Sequence, residues 1–541
     1  MTEGRPFAWE ASYPPGARWD APLPTSTLPA LLDRAVAAYG DHPAIEFRGR
    51  RIGFAELGAR VERIAAGLRA LGVRPGDSVA LLLPNTPWHP VAFFAALRAG
   101  ARVVHLTPLD PPRALARKLA DADARVLVTT DLAPMLGYAA GLLADGHVQR
   151  LLVGEDAEWG GEGGQGVPPA AAGLAGLDGP RGNWPALDEN DVALLQYTGG
   201  TTGAPRAAML THANLTATVS IYDAWNAGIG RSFRPGDRIM CVLPLFHIYA
   251  LTAVLLRALS NGTELLLRQR FDAETAIRDV EAGCTHLFGV PTMWIAVVNH
   301  PGVERRSLSA LRVASSGGAA LPTEVGERFH QLTGLRLGGG WGMTETSPAG
   351  TNLLPDRPQA PGGIGVPLPG VELDIASLDD PARPLPPGEV GELRIRGPNV
   401  TPGYWKRPEE TAAAFVDGWF LTGDIGFMAP DGQFTLVDRK KDMLISGGFN
   451  VYPRAIEDAI HEHPDVLEAA VIGVPDPYRG QAAKAFVSLR PGAAPLTLDA
   501  LRAFLADRLG RHELPAALEV RDALPHTPVG KLAKRDLVEG L

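Results

Sequence analysis

The feature that most constrains this chain is a long alternation of short apolar runs with segments of helical periodicity. Residues 78–83, 102–105 and 125–129 read as strands, and 90–99 and 113–123 between them read as helices. Strand–helix–strand order with short connections implies right-handed crossovers and a parallel sheet. Upstream, Ala44-Ile-Glu-Phe and Arg51-Ile-Gly-Phe flank Arg48-Gly49-Arg50 as a small hairpin. Leu57, Val61, Ile64, Ala65, Leu68 and Leu71 then keep one apolar helical face. Residues 1–25 are expected to drape over a surface, and the Gly-, Pro- and Ala-rich stretch 154–185 to be a surface loop. The alternation resumes with strands at 237–243, 264–267, 286–290 and 311–315 and helices at 250–259 and 273–282. From about residue 370 short β segments take over, at 371–375, 391–396 and 433–437. A boundary is expected near Asp438-Arg-Lys-Lys-Asp442, and residues 439–541 carry their own α+β pattern. The expected fold is α/β: a large N-terminal domain (1–438) of mostly parallel sheets flanked by helices plus a β-rich subdomain, then a small α+β C-terminal domain (439–541).

Composition excludes several function classes. The net charge of −9 gives no general electrostatic support for nucleic-acid binding. Two cysteines, Cys241 and Cys284, exclude a disulfide scaffold and a Cys-rich zinc site. The first residues lack a basic-then-apolar leader, and no apolar run reaches the roughly 18 residues that a bilayer span needs. A cytoplasmic enzyme is the expectation.

Five separated stretches carry candidate chemistry. Gln196-Tyr-Thr-Gly-Gly-Thr-Thr-Gly-Ala-Pro-Arg206 follows the apolar run 192–195. Its glycines permit close backbone approach, and its hydroxyls and free N–H groups suit a polyphosphate. It is not a Walker A loop, and taken alone it reads equally as a flexible surface loop. Ser316-Gly-Gly-Ala319 ends a strand, where α/β sheets bind ligands; a tight turn is the plain alternative. Gly340-Trp-Gly-Met-Thr-Glu-Thr346 places an aromatic plane, a hydroxyl and a carboxylate close together. Trp341 could stack on a flat base and Glu345 could hold Mg²⁺, or they are a core Trp and a solvated Glu. Thr422-Gly-Asp424 offers a carboxylate for a ribose diol, or a turn Asp. Pro525-His-Thr-Pro-Val-Gly-Lys531 offers one long ammonium, or a solvent Lys.

In this order and over this length, residues of about 30 to 540 closely resemble the adenylate-forming superfamily of acyl-CoA synthetases, luciferases and peptide-synthetase adenylation domains. Residues 197–212, Leu243-Pro-Leu-Phe-His-Ile-Tyr-Ala250 and Val437-Asp-Arg-Lys-Lys-Asp-Met443 are most similar to bacterial fatty acyl-CoA synthetases. The resemblance implies a two-step ligase. A small-molecule carboxylic acid attacks the α-phosphate of ATP·Mg²⁺ to give acyl-AMP and pyrophosphate, and coenzyme A then displaces AMP. An anion attacking a polyanion needs donors and cations placed where charge develops. By motif match, Thr198, Gly199, Gly200, Thr201, Thr202 and Gly203 cradle the phosphates, with Arg206 beside them. Gly317, Gly318, Ala319 and Gly340 lie along the adenosine, and Trp341 takes the stacking position. Thr344 touches the α-phosphate or the acyl carboxylate, Glu345 ligates Mg²⁺, Asp424 binds the ribose and Arg439 assists. Lys531 bridges carboxylate and α-phosphate. The C-terminal domain is implied to be mobile about Lys441, removing Lys531 and bringing Gly447 and Gly448 to a pantetheine channel. His247 matches the aromatic that gates acyl pocket and thiol channel.

Two departures stand out. The phosphate loop ends in Arg206-Ala207, where the family has Lys-Gly; Arg keeps the charge but not its point-like geometry. Ala455 replaces a common Glu, while Glu457, read as structural, is retained. Gly338-Gly339-Gly340 and the apolar 250–256 suggest an open apolar tunnel for a medium or long acyl chain. The alternatives are an aromatic acid or dicarboxylate ligase, an acyl-AMP ligase loading a carrier protein, a luciferase-like oxygenase and a non-catalytic acyl or nucleotide binder. Pro525 and Gly530-Lys531 also match a site for a lysine acetyltransferase that would switch off Lys531. A homodimer and peripheral contact with a membrane complete the expectations.

Overall fold

A computed structural model describes residues 5–198, 205–319, 321–355, 357, 360, 362–446, 449–477, 479–526 and 532–538. Two compact units are distinguished. The first comprises Met1–Gln359, Gly365–Glu372 and Ile395–Gly418, and the second Ala360–Ile364, Leu373–Arg394 and Trp419–Leu541.

The first unit holds two seven-stranded sheets. One runs Ala172–Gly173, Arg150–Gly154, Ala124–Thr130, Ser78–Leu82, Arg102–His105, Val192–Thr198 and Arg206–Thr211. Its neighbours are parallel except the last pair, an antiparallel hairpin. Every residue of Ser78–Leu82 is buried, as a parallel strand covered on both faces requires. Helix Trp88–Arg98 is buried along its whole length, whereas Pro112–Asp121 buries only Leu115 and Leu119, one stripe at i,i+4.

The other sheet runs Gly338–Gly339, Val313–Ser316, His286–Gly289, Arg238–Cys241, Glu264–Leu267, Pro43–Phe47 and Arg50–Gly53. Only the terminal hairpin, 43–53, is antiparallel. The strands and helices expected over 43–130 and 238–316 are therefore present, with ends shifted by a few residues. The 250–259 segment differs: Ala250–Leu256 is a π-helix that passes into one α-turn, Arg257–Ser260. The 154–185 stretch is more than a surface loop, because Trp159 and Leu174 are buried in it.

Helix His212–Gly228 fixes part of the site. Thr211 Oγ1 accepts the Asn214 N–H and Asn214 Oδ1 accepts the Thr211 N–H, a reciprocal cap at 3.0 and 3.1 Å. The Asn214 amide then donates to the carbonyls of Pro398 and Val400, at 2.8 and 3.0 Å. One residue thus starts a helix and anchors the segment carrying Asn399 and Tyr404.

Another sheet places Phe434–Arg439, Trp419–Met428, Gly391–Arg396 and Glu372–Ala376 side by side. A further sheet centres on the antiparallel pair Val466–Asp476 and Gly480–Leu489, with Leu444–Ser446 and Ala517–Val520 against the latter. Helix Pro453–His461 opens with proline, whose missing N–H costs nothing there. It buries Ile456, Ala459 and Ile460 against Val471, Val487, Leu501 and Leu505. Among the described residues no helix is long and apolar enough to cross a membrane.

Candidate active site

The hairpin Val192–Thr198/Arg206–Thr211 pairs Thr198 with Arg206 at its mouth, where Thr198 Oγ1 donates to the Arg206 carbonyl at 3.3 Å. Gly199, Gly200, Thr201, Thr202 and Gly203 join these two residues and lie outside the described residues. The outer edge of the hairpin is covered by the segment that Asn214 anchors. Met209 N–H donates to the Gly403 carbonyl and Trp405 N–H to the Ala207 carbonyl, both at 2.9 Å.

That pairing delivers Tyr404 to Glu345. Glu345 sits in a single 3₁₀ turn, Thr344–Thr346, and is 2% exposed. Asn399, fully buried, holds the turn by donating to the carbonyls of Thr346 and Ala349, at 2.7 and 2.6 Å. The Tyr404 hydroxyl donates to Glu345 Oε1 at 2.9 Å. Arg206 lies 3.9 Å from the same oxygen and 4.0 Å from Glu410, and its guanidinium stacks 4.3 Å from the Tyr404 ring centre. Burial, with the Glu345 carboxylate beside it, raises the Tyr404 phenol well above its ordinary value, so it stays a donor. Glu345 is therefore not a solvated Glu, and Arg206 has a defined place at the hairpin mouth.

Val313–Ser316 and Gly338–Gly339 are parallel neighbours, so the loops 317–319 and 340–342 leave the sheet at the same, C-terminal, end. Gly318 has φ +80°. Gly317 lies under the Tyr249 ring, which a methyl there would approach to 2.9 Å. Burial pushes the Tyr249 phenol, hydrogen-bonded to Ser315, up to about 12. Trp341 is 8% exposed and packs on Gly350, where a methyl would meet the indole at 2.5 Å. The glycine run is corrected by the structure. Methyls at Gly339 and Gly340 would stand 2.6 and 2.0 Å from the carbonyl oxygens of Ser316 and Thr351, so these glycines permit backbone contact rather than opening a tunnel.

His247 is half-buried on the 243–247 turn, and its Nδ1 accepts the Tyr249 N–H at 3.3 Å. Asn85 pins that turn through the carbonyl of Leu243 and the N–H of Leu245.

In the second unit Asp424 is 2% exposed, faces Arg439 across the strand pair and bonds its Nε at 2.9 Å. Lys440 pairs with Glu392 at 2.7 Å, and Lys441 is exposed. Gly447, Gly448 and Lys531 lie outside the described residues; His526 and Leu532, flanking 527–531, bridge to each other. Glu457 accepts the Val471 N–H at 2.6 Å and the Lys534 ammonium at 2.7 Å.

The structure thus joins Thr198, Arg206, Glu345 and the unforeseen Tyr404 and Asn399 in one unit, and Asp424 with Arg439 in the other. Tyr404 stands in Asn399-Val-Thr-Pro-Gly-Tyr404, whose Pro-Gly pair is the one local signal that could have marked it. A buried carboxylate, a cation and hydroxyls at the mouth of a glycine-rich hairpin suit a polyphosphate. Among the described residues no cluster of three or more His, Cys, Asp or Glu could hold a metal by itself. One carboxylate with a hard-oxygen surround fits Mg²⁺, which takes one or two carboxylates plus phosphate oxygens.

Residues 32–405 match the AMP-binding enzyme family, and 455–531 match the AMP-binding enzyme C-terminal domain. A long-chain-fatty-acid–CoA ligase of Bacillus subtilis (strain 168) is 36% identical over 98% of this chain and 97% of its own. A feruloyl-CoA synthase of an Amycolatopsis species is 40% identical over 91% and 95%. The ATP-bound structure of MatB from Rhodopseudomonas palustris superposes with a TM-score of 0.85 at 30% identity, covering 95% of this chain and 99% of that one.

Proposed function

The chain belongs to the AMP-binding enzyme family and is an AMP-forming acid–CoA ligase, and on that premise we propose that it activates medium- or long-chain fatty acids. ATP and coenzyme A are its co-substrates. The observation that carries the substrate reading is the π-helical segment Ala250–Leu256, which follows the His247 turn and is wholly buried, with Thr252 its one polar residue. The long-chain relative, matched over nearly the whole chain, supports it. A second reading, an aromatic acid, is favoured by the half-buried Tyr249 ring over Gly317 and by the feruloyl-CoA synthase relative.

In this reading Thr198 and the 199–203 loop bind the β- and γ-phosphates, and Arg206 offsets their charge from the hairpin mouth. The 317–319 loop, Gly340 and Trp341 hold the adenosine base side, and Thr344 contacts the α-phosphate or the acyl carboxylate. Asp424, held by Arg439, takes the ribose hydroxyls. Glu345 would hold Mg²⁺, which when bound neutralises charge on the phosphates. Lys531 neutralises the acid and α-phosphate during adenylation. Rotation of residues 439–541 about Lys441 then exchanges Lys531 for the Gly447-Gly448 channel wall. Acetylation of Lys531 would silence adenylation alone, and acetylated protein that still releases pyrophosphate would exclude that control.

The test is a panel of decanoate, palmitate, oleate, ferulate and a dicarboxylate with ATP, Mg²⁺ and coenzyme A, read by pyrophosphate release and thioester mass. Turnover highest on the alkyl acids is expected. Turnover confined to ferulate transfers the assignment to the aromatic reading, and acyl-AMP formation without coenzyme A consumption transfers it to a carrier-protein ligase.

A further inference from the structure

His105 and Gln196 are register partners on adjacent parallel strands, 2% and 7% exposed. Along Val192–Thr198, Gln196 shares a face with Thr198 at the hairpin mouth, while Leu195 and Tyr197 point the other way into an apolar core. The Gln196 amide bridges two groups. It lies 3.1 Å from His105 Nδ1 through Oε1, and Nε2 donates to the Phe246 carbonyl at 3.0 Å.

This arrangement fixes its own protonation. A carbonyl oxygen only accepts, so Nε2 must face Phe246. Oε1 then faces His105, whose Nδ1 must carry the proton. Burial holds the ring pKa down at about 4, so His105 is neutral and the Nδ1–H tautomer. Its Nε2 is buried without a hydrogen-bond partner among the described residues, and the His105 and His89 ring centres lie 5.0 Å apart.

The bond has a geometric consequence at the next residue. The Phe246 carbonyl and the His247 N–H belong to one peptide plane. Gln196 holds the first, and the Pro244 carbonyl accepts the second at 2.9 Å. With both ends bonded the plane cannot swing, and the direction in which His247 leaves the backbone is set.

We propose that Gln196, oriented by His105, is the positioning residue that aims His247, and that it links this aim to the phosphate hairpin two residues away. The proposal rests on the reading of His247 as the aromatic between acyl pocket and thiol channel. Triphosphate seating at Thr198 and orientation of His247 then share one rigid strand segment, so the thiol route is set from the nucleotide side.

The test compares His105→Asn, whose amide keeps a donor near the Nδ1 position, with His105→Leu and Gln196→Glu. The first readout is the KM for coenzyme A in thioester formation from supplied acyl-AMP. It should rise about tenfold in His105→Leu and Gln196→Glu and stay within about twofold in His105→Asn, the loss expected of one buried hydrogen bond. The KM for ATP in pyrophosphate release should change less than that for coenzyme A. The second readout is ¹⁵N-histidine NMR, with His105 assigned through His105→Asn, and it needs no turnover. A directly bonded Nδ1–H is expected. An Nε2–H tautomer, a His105→Asn that behaves as His105→Leu, or equal changes in both KM values alongside a lowered melting temperature would each overturn the proposal. If the wild type makes no thioester from any acid, the ligase reading fails, and the NMR result still decides the orientation of Gln196.

Discussion

Tyr404→Phe removes one hydroxyl and keeps the ring, so it isolates what orients Glu345. Among the described residues, the Tyr404 hydroxyl at 2.9 Å and Arg206 at 3.9 Å both address Glu345 Oε1. A hydroxyl bonded to a buried carboxylate is worth about 1.5–3 kcal/mol. The Arg206 attraction would be about 4 kcal/mol at an effective dielectric of 20, but its side chain is 38% exposed and solvent reduces this toward the roughly 0–1 kcal/mol of a surface pair. The hydroxyl is therefore the stronger constraint, and the phenyl ring left behind still stacks on Arg206. Loss of a hydrogen-bond partner behind a metal-ligating carboxylate weakens metal binding by about 10–100-fold. We expect the Mg²⁺ concentration for half-maximal pyrophosphate release to rise by that factor in Tyr404→Phe, with the rate at saturating Mg²⁺ falling less. Thermal unfolding of the variant checks that the fold is kept. If the Mg²⁺ dependence is unchanged while Glu345→Gln abolishes activity, Tyr404 does not orient the ligand and the reasoning is wrong.

Lys531→Ala should abolish adenylate formation while thioester formation from supplied acyl-AMP is nearly kept; equal loss in both halves would refute the exchange of two active arrangements. Glu457 supplies a pH prediction. Burial, only partly offset by Lys534, raises its carboxyl from 4.5 to about 6. A folded-state pKa above the unfolded one means that the folded protein binds the proton more tightly, so this contribution is fully present below 4.5 and is lost as pH rises through 6. The shift is worth roughly 2 kcal/mol. Wild type should therefore lose about that much denaturant stability relative to Glu457→Gln between pH 4 and 7, and parallel stability curves for the two proteins would sink the assignment.

The parallel strands were legible because burial on both faces leaves a continuous apolar run, as at Ser78–Leu82. Helix His212–Gly228 was not, because its buried side includes Asn214, Thr216 and Thr218, residues whose bonding partners lie in distant segments or in the preceding helical turn. Strand Trp419–Met428 hides for a related reason: two glycines and Asp424 interrupt its alternation. Gly339 and Gly340 mark the limit most clearly. A glycine states that a side chain would not fit, but whether space or a carbonyl oxygen takes its place depends on Ser316 and Thr351, which local sequence does not name.

The same distinction explains which site residues could be foreseen. Glu345 and Asp424 are buried carboxylates, and a ligand that needs a carboxylate accepts no other residue type there, so such positions leave a motif. Their orienting partners face a weaker demand. Any segment that brings an O–H or N–H to the right point will serve: Tyr404 and Gln196 are placed by backbone pairing with distant segments, and Asn399 by the Asn214 amide. Arg206 joins the two groups. Sequence marks it as a changed cation, while the Tyr404 ring and Glu345 give it a place that Lys would fill differently, since an ammonium has no plane to stack. The geometry of this site therefore lies in the contacts between motif and partner, and Tyr404 is where they meet.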